Sequence, residues 1–275
     1  MRSFAGRYKW LLFFIALFAG LFVAARWFEH VSLYIPNRVL QCTPAAYGLV
    51  WEQVSIRSGG AKLACWLLDG PSPSAPLIVF LHGNGDNVSV VLPKCKILRD
   101  LGFAVLMVDY RGYGASTGFP TEGGLYNDAV AAFDWAQARH PSHIVVYGHS
   151  LGTGVATELA LRRRPDGLVL ESPFTSIRDM GKVLYPFLPV NILVSQKYDT
   201  LSKISSVACP LLVIHGAHDE LIPPDMGKRV YDTARNPKTF ALLPGGHNDI
   251  YKVSGPAYKN ALAAFLHRYL KEAGK

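Results

Sequence analysis

The stretch YGHSLGTG, Tyr147 to Gly154, admits two readings, and the choice between them decides the fold. In one it is a strand-to-helix turn that lifts Ser150 out as a nucleophile. In the other it is a glycine-rich turn whose backbone N–H groups hold a phosphate, with the serine incidental. In a chain with 25 glycines Gly-x-Ser-x-Gly arises readily by chance, so the motif alone decides nothing.

The phosphate reading breaks down on spacing. Gly152-Thr153-Gly154-Val155-Ala156-Thr157 approximates G-x-G-x-x-G but ends in Thr where Gly or Ala is required. Glu171 stands at the end of the next strand, where a ribose-binding acid belongs, yet this reading leaves Ser150 and the downstream motifs unexplained. The chain also contains no G-x-x-x-x-G-K-[ST] loop. A nucleophile elbow, by contrast, needs a strand before it, a helix after it and very small residues two positions to either side. HIVVY supplies the strand, LGTGVATELAL the helix, and Gly148 and Gly152 the small flanks, while Gly154 is expected to help that helix pack against the sheet. The turn puts Ser150 at a helix N-terminus, where the dipole favours developing negative charge.

Outward from this turn the chain alternates strand and helix. Val50–Arg57 and Leu63–Asp69 read as a hairpin around Ser58-Gly59-Gly60. Leu77–Leu81, Phe103–Asp109, His143–Tyr147, Leu168–Leu170, Leu211–Ile214 and Thr239–Leu243 read as strands, most of them apolar throughout. Helical patterns cover Val90–Leu101, Leu125–Arg139, Leu151–Arg163, Met226–Ala234 and Tyr258–Lys271. This order predicts an α/β fold with about eight strands in a mostly parallel sheet, flanking helices, and ligands at the strands' carboxyl ends. From Ser172 to Pro210 no strand intervenes, and the apolar, proline-punctuated YPFLPVNILV reads as a small helical lid.

A serine hydroxyl needs a base to take its proton and a third group to hold that base. In this fold the order along the chain is Ser, acid, His. His247, in the glycine-rich PGGHNDI just past the last strand, is the expected base, while His267 in the closing helix reads as a surface residue. Asp219, in the strand-end segment IHGAHDELIP, is the expected acid, with Glu171 the alternative; Asp225 and Asp249 read as ordinary loop residues. The expected oxyanion-hole donors are the backbone N–H groups of Leu151, directly after the nucleophile, and Asn84, in LHGNGDN after the third strand. His82 reads as a structural histidine of that loop and His149 as a packing residue beside the serine.

Taken together, LHGNGDN, DYRGYGASTGFP, GHSLGTG, ESPFTSI, HGAHDELIP and PGGHNDI resemble an α/β-hydrolase-fold serine hydrolase. They are most similar to its membrane-anchored "α/β-hydrolase domain-containing" branch, which includes protein depalmitoylases and bud-emergence-suppressor-like proteins. The resemblance runs from about Tyr34 to the C-terminus, and Ser150, Asp219 and His247 fall on the family's triad positions. It makes the Asp109–Gly114 segment a loop supporting the site, with Arg111 structural, and leaves the substrate open because the lid is where members differ most.

Composition agrees with a globular domain attached to a membrane. The chain has 275 residues, is 50% hydrophobic and 17% charged, and carries a net charge of +8. Apart from Arg162-Arg163-Arg164 and the N-terminus the basic residues are scattered, without aromatic interleaving, which argues against nucleic acid. Residues 1–30 read as an uncleaved signal anchor: Arg2, Arg7 and Lys9 precede the charge-free WLLFFIALFAGLFVAA, bounded by Trp10 and Trp27. Cleavage at Val23-Ala24-Ala25, releasing an exported enzyme, is the alternative. The flanking charges favour a cytoplasmic N-terminus and a hydrolase domain, residues 31–275, outside the cytoplasm. Cys42, Cys65, Cys95 and Cys209 lack metal-ligand spacing, and Cys65 and Cys209 read as buried free thiols. The expected function is hydrolysis of an acyl ester or thioester with a lipophilic chain, on a lipid or an acylated protein, needing no metal or organic cofactor. A small-ester esterase, a peptidase of the same fold and a non-catalytic binding protein are the alternatives.

Overall fold

The computed structural model describes residues 2–270. The N-terminal apolar run lies in one long helix, α1 (Arg2–Leu33). Within it, Tyr8–Leu33 is long and apolar enough to cross a membrane, and its most apolar part is not buried against the rest of the protein. The first two strands, β1 (Trp51–Ser58) and β2 (Ala61–Leu68), pair antiparallel as the hairpin expected at Gly59-Gly60. Then follow β3 (Leu77–Leu81), α2 (Leu92–Asp100), β4 (Ala104–Val108), α3 (Glu122–Gln137), β5 (Ile144–His149), α4 (Leu151–Arg163) and β6 (Gly167–Glu171). The 172–210 segment contributes three short helices, α5 (Ile177–Leu184), α6 (Val190–Leu193) and α7 (Thr200–Ile204). The chain closes with β7 (Leu211–Gly216), α8 (Pro224–Thr233), β8 (Lys238–Leu243), α9 (Ile250–Val253) and α10 (Pro256–Leu270). Lys271, the expected end of the last helix, lies outside the described residues.

The eight strands form one sheet in the order β1-β2-β4-β3-β5-β6-β7-β8, antiparallel at β1-β2-β4 and parallel from β4 to β8. Its central strands are apolar on both faces because helices cover both sides. All five residues of β3 are buried, as are all six of β5. Each Val, Leu, Ile or Phe side chain among them contributes about 1.5–3 kcal/mol by leaving water, which explains unbroken apolar runs in place of alternation.

Several element boundaries differ from those expected, each for a local reason. α3 starts at Glu122 because the Thr121 hydroxyl caps it, accepting from the Gly124 N–H at 3.1 Å; Gly123-Gly124 had broken the apolar pattern. α8 begins two residues early because Pro224 suits a helix's first position, so Asp225 belongs to a helix and not to a loop. Gly154 was expected to let α4 pack on the sheet, but it faces the segment after α6. A Cβ there would stand 3.0 Å from Tyr198 and 3.4 Å from Phe174. All four cysteines are free; Cys65 and Cys95 are buried and Cys209 is half-buried.

Candidate active site

Ser150 occupies the turn between β5 and α4 with φ +53° and ψ −119°, a backbone conformation costly for any residue but glycine. The turn is held by the Thr153 N–H and hydroxyl, which both donate to the Ser150 carbonyl, at 2.9 and 2.7 Å. It is also held by close packing. A Cβ on Gly148 would collide with the Gly152 carbonyl, and one on Gly152 with the Leu81 carbonyl at the end of β3. The small flanks are therefore a steric requirement of bringing three chain segments together under the serine.

The loops after β7 and β8 meet this turn. His247 Nε2 lies 2.9 Å from Ser150 Oγ, and His247 Nδ1 lies 2.8 Å from Asp219 Oδ2. The other Asp219 oxygen accepts from the N–H groups of Leu221 and Ile222, at 3.0 and 2.8 Å. Burial works to raise the Asp219 carboxyl, but hydrogen bonds from His215 and His247 outweigh it and hold the group far below the usual carboxylate range. Asp219 is thus ionised at neutral pH and is able to keep the Nδ1 proton on His247, leaving Nε2 facing the serine. All three residues are less than a tenth exposed.

The loop carrying His247 is itself pinned by two acids. Asp249 accepts from the Gly246 N–H at 2.6 Å, and Glu220 accepts from the His247 N–H at 3.2 Å. Asp249, expected to be an ordinary loop residue, is thus an ordering residue, and Glu220 was passed over altogether. Its position next to Asp219 on a strand-end loop was the available signal.

Glu171, the alternative acid, makes other contacts. It is fully buried, its Oε1 is 2.6 Å from Lys94 Nζ, and its Oε2 accepts from the Tyr258 hydroxyl at 2.8 Å and from Tyr147. Burial would raise its carboxyl, yet the Lys94 charge and hydrogen bonds from Lys94 and Tyr147 hold it below its ordinary value. His149 is kept neutral: burial and the Lys94 charge lower it further than Asp86, 3.6 Å away, raises it.

Asn84 and Leu151 border one cavity with Ser150. Leu151 is the first residue of α4, where N–H groups lack acceptors within the helix. The β3 loop comes close to Ser150, since a Cβ on Gly83 would lie 3.3 Å from Ser150 Cβ. His82 braces this loop from below, with Nδ1 2.7 Å from the Gly83 carbonyl and Nε2 3.4 Å from Asp109. Arg111 lies away from the serine and clasps Asp128 at 2.7 Å. His215 is fully buried against the Ile222 carbonyl at 2.9 Å, while His218 and His267 face solvent.

The cavity has a volume of about 190 Å³ and is walled mainly by apolar side chains of α5, α6 and their connection, including Met180, Leu184, Leu188 and Leu193. Phe174 and Ile222 close it near the serine. Its remaining wall is the end of α1. That helix is fastened by Glu29, which accepts from the Ser195 and Gln196 N–H groups at 2.6 and 2.7 Å. Glu122 takes the next two N–H groups, of Lys197 and Tyr198, at 2.7 and 2.8 Å.

A strained serine between β5 and α4, a histidine and a carboxylate from the β7 and β8 loops, and this strand order define the class of α/β hydrolases. The chain belongs to the α/β-hydrolase family and is a hydrolase. It is 34% identical over 279 residues to the α/β-hydrolase domain-containing protein WAV2 of Arabidopsis thaliana, covering 90% of each chain. It is 39% identical over 212 residues to an uncharacterized protein of Mycobacterium tuberculosis, 75% of each. It is also 34% identical to the lysophosphatidylserine lipase ABHD12 of Danio rerio, over 79% of this chain and 65% of that one. Residues 72–203 match the family model described as serine aminopeptidase, S33. Among solved structures, an esterase of Pyrococcus furiosus superposes with a TM-score of 0.73 over 86% of this chain and 99% of its own, at 23% identity. That likeness concerns the fold.

Proposed function

We propose that the chain is a serine hydrolase that cleaves a carboxylic ester or thioester with a lipophilic acyl chain, through an acyl-enzyme on Ser150. The observation that carries this reading is the continuous chain of contacts Ser150 Oγ–His247 Nε2–Asp219 at 2.9 and 2.8 Å, opening on an apolar cavity. His247 takes the hydroxyl proton as Ser150 attacks the carbonyl carbon, and Asp219 stabilises the imidazolium that forms. The Leu151 and Asn84 N–H groups receive the oxyanion, each such donor being worth about 100- to 1,000-fold in rate. His247 then gives its proton to the departing alkoxide or thiolate, activates a water, and free acid and Ser150 are regenerated. No metal or organic cofactor takes part.

The ABHD12 relative, named as a lysophosphatidylserine lipase, supports an acyl lipid as substrate. A peptidase that reads a free N-terminus needs a carboxylate for its ammonium. Glu29 is the one acidic side chain among the residues lining the cavity, and its oxygens are engaged by Ser195, Gln196 and Arg26. We further propose that α1 anchors the enzyme in a membrane with the hydrolase domain outside the cytoplasm. The apolar tips Phe187 and Ile192, 97% and 82% exposed on the segment that shares the cavity with α1, fit a domain resting on a bilayer.

A fluorophosphonate probe tests the central reading. It should label the wild type and not Ser150→Ala; equal labelling of both, or of neither while folded, removes the claim.

A further inference from the structure

The residues of α1 that line the cavity are Ala25, Phe28, Glu29, Ser32 and Leu33. Their spacing is i, i+3, i+4, i+7, i+8, one continuous helical face. The sequence hides this face because Arg26, Glu29, His30 and Ser32 interrupt the apolar run just where it forms, and Trp27 and Val31 on the other side of the same turns are exposed. Three contacts hold the face in place. Glu29 fastens it to Ser195 and Gln196, the Tyr34 hydroxyl lies 2.8 Å from that of Tyr198, and the Phe28 and Tyr185 rings pack edge to face at 5.9 Å. The cavity that begins at Ser150 is therefore bounded on one side by the end of the helix suited to a membrane, and on the other by α5 and α6.

We propose that the last two turns of α1 are a wall of the acyl-chain site, so that the anchor helix sets which chain lengths the enzyme accepts. This rests on Ser150 being the nucleophile. A carbonyl carbon bonded to Ser150 Oγ must send its acyl chain into the space adjoining the serine. That space is apolar, and α1 closes it. Ala25 and Ser32 are the two smallest side chains on this face, and they leave room that a larger residue would fill.

The test is a long-chain alkyl fluorophosphonate bearing a diazirine along its chain, applied to the full-length protein in phosphatidylcholine vesicles. The Ser150 oxygen displaces fluoride at phosphorus, its proton passes to His247, and the chain is left tethered in its site. Irradiation should cross-link it to a peptide containing residues 25–33. Adduct at Ser150 with cross-links confined to other segments overturns the inference and leaves the proposed function standing. Absence of adduct at Ser150 overturns both. Independently, Ala25→Phe and Ser32→Leu should each lower the palmitate-to-acetate ratio of kcat/KM on p-nitrophenyl esters by about tenfold. Val31→Phe, on the outer face, should keep the wild-type ratio. Unchanged ratios in the two inward variants, or an equal fall in Val31→Phe, contradict the proposal.

Discussion

The Lys94 ammonium meets the Glu171 carboxylate at 2.6 Å, both side chains buried, one strand away from the turn that carries Ser150. This pair separates the two acids that the strand order offers to His247. Removing one partner of a buried ion pair leaves the other uncompensated and costs about 3–5 kcal/mol. Glu171→Gln should therefore lower the thermal denaturation midpoint while the folded fraction keeps kcat within a few-fold. Asp219→Asn should instead lower kcat about 1,000- to 10,000-fold through loss of the histidine's orientation. Reversed effects in the two variants move the acid to Glu171.

The elbow glycines give a second expectation. A methyl group on Gly152 meets backbone on β3, which cannot move without disturbing the sheet, whereas Gly85 in the neighbouring loop has nothing within 4 Å of an added Cβ. Gly152→Ala should destabilise by more than about 2 kcal/mol in chemical denaturation, and Gly85→Ala by less than about 0.5 kcal/mol. Equal stability of the two variants would mean that the turn is looser than described.

Stability should fall on acidification, and His149 and Glu171 are two of the buried groups that contribute. His149 is held neutral in the fold, below its ordinary 6.5, so the unfolded chain takes up its proton first and stability is lost as pH falls through 6.5. Glu171 is held below its ordinary 4.5, so its contribution is complete above that value and is lost as pH falls below it. Both act in one direction. The urea midpoint in detergent should drop between about pH 7 and about pH 5, and His149→Gln should drop less over that interval. A midpoint independent of pH across this range argues against a buried neutral His149.

Four successive N–H groups, Ser195 to Tyr198, are divided between the carboxylates of Glu29 and Glu122. Glu29→Ala should speed amide hydrogen exchange at Ser195 and Gln196 much more than at Lys197 and Tyr198. Charge-assisted bonds of this kind contribute about 1.5–3 kcal/mol each, which corresponds to roughly ten- to hundredfold in exchange. Uniform exchange across the four residues would mean that the segment is held by packing alone.

What could be read in the sequence follows from which interactions are local. Ser150, Asp219 and His247 each sit in a short motif at the carboxyl end of a strand, so strand order and glycine placement were enough to bring them together. Gly148 and Gly152 were legible for the same reason. Glu29 and Ser195 lie 166 residues apart, and nothing near either signals the other. A carboxylate at the end of an apolar helix reads as a flank until the fold supplies its donors. Lys94 and Glu171, 77 residues apart, were hidden in the same way, and Glu171 consequently looked available to His247. Gly154 pointed to helix-on-sheet packing, but its neighbour Tyr198 belongs to a segment whose path no periodicity reveals.

The account stands most directly on a covalent intermediate. Full-length enzyme mixed with a p-nitrophenyl ester and quenched in acid within the first turnover should yield a peptide whose mass includes the acyl group, with fragmentation placing it on Ser150. His247→Gln should yield none. Turnover with no acylated peptide at any time, or with the acyl group on another residue, would contradict it.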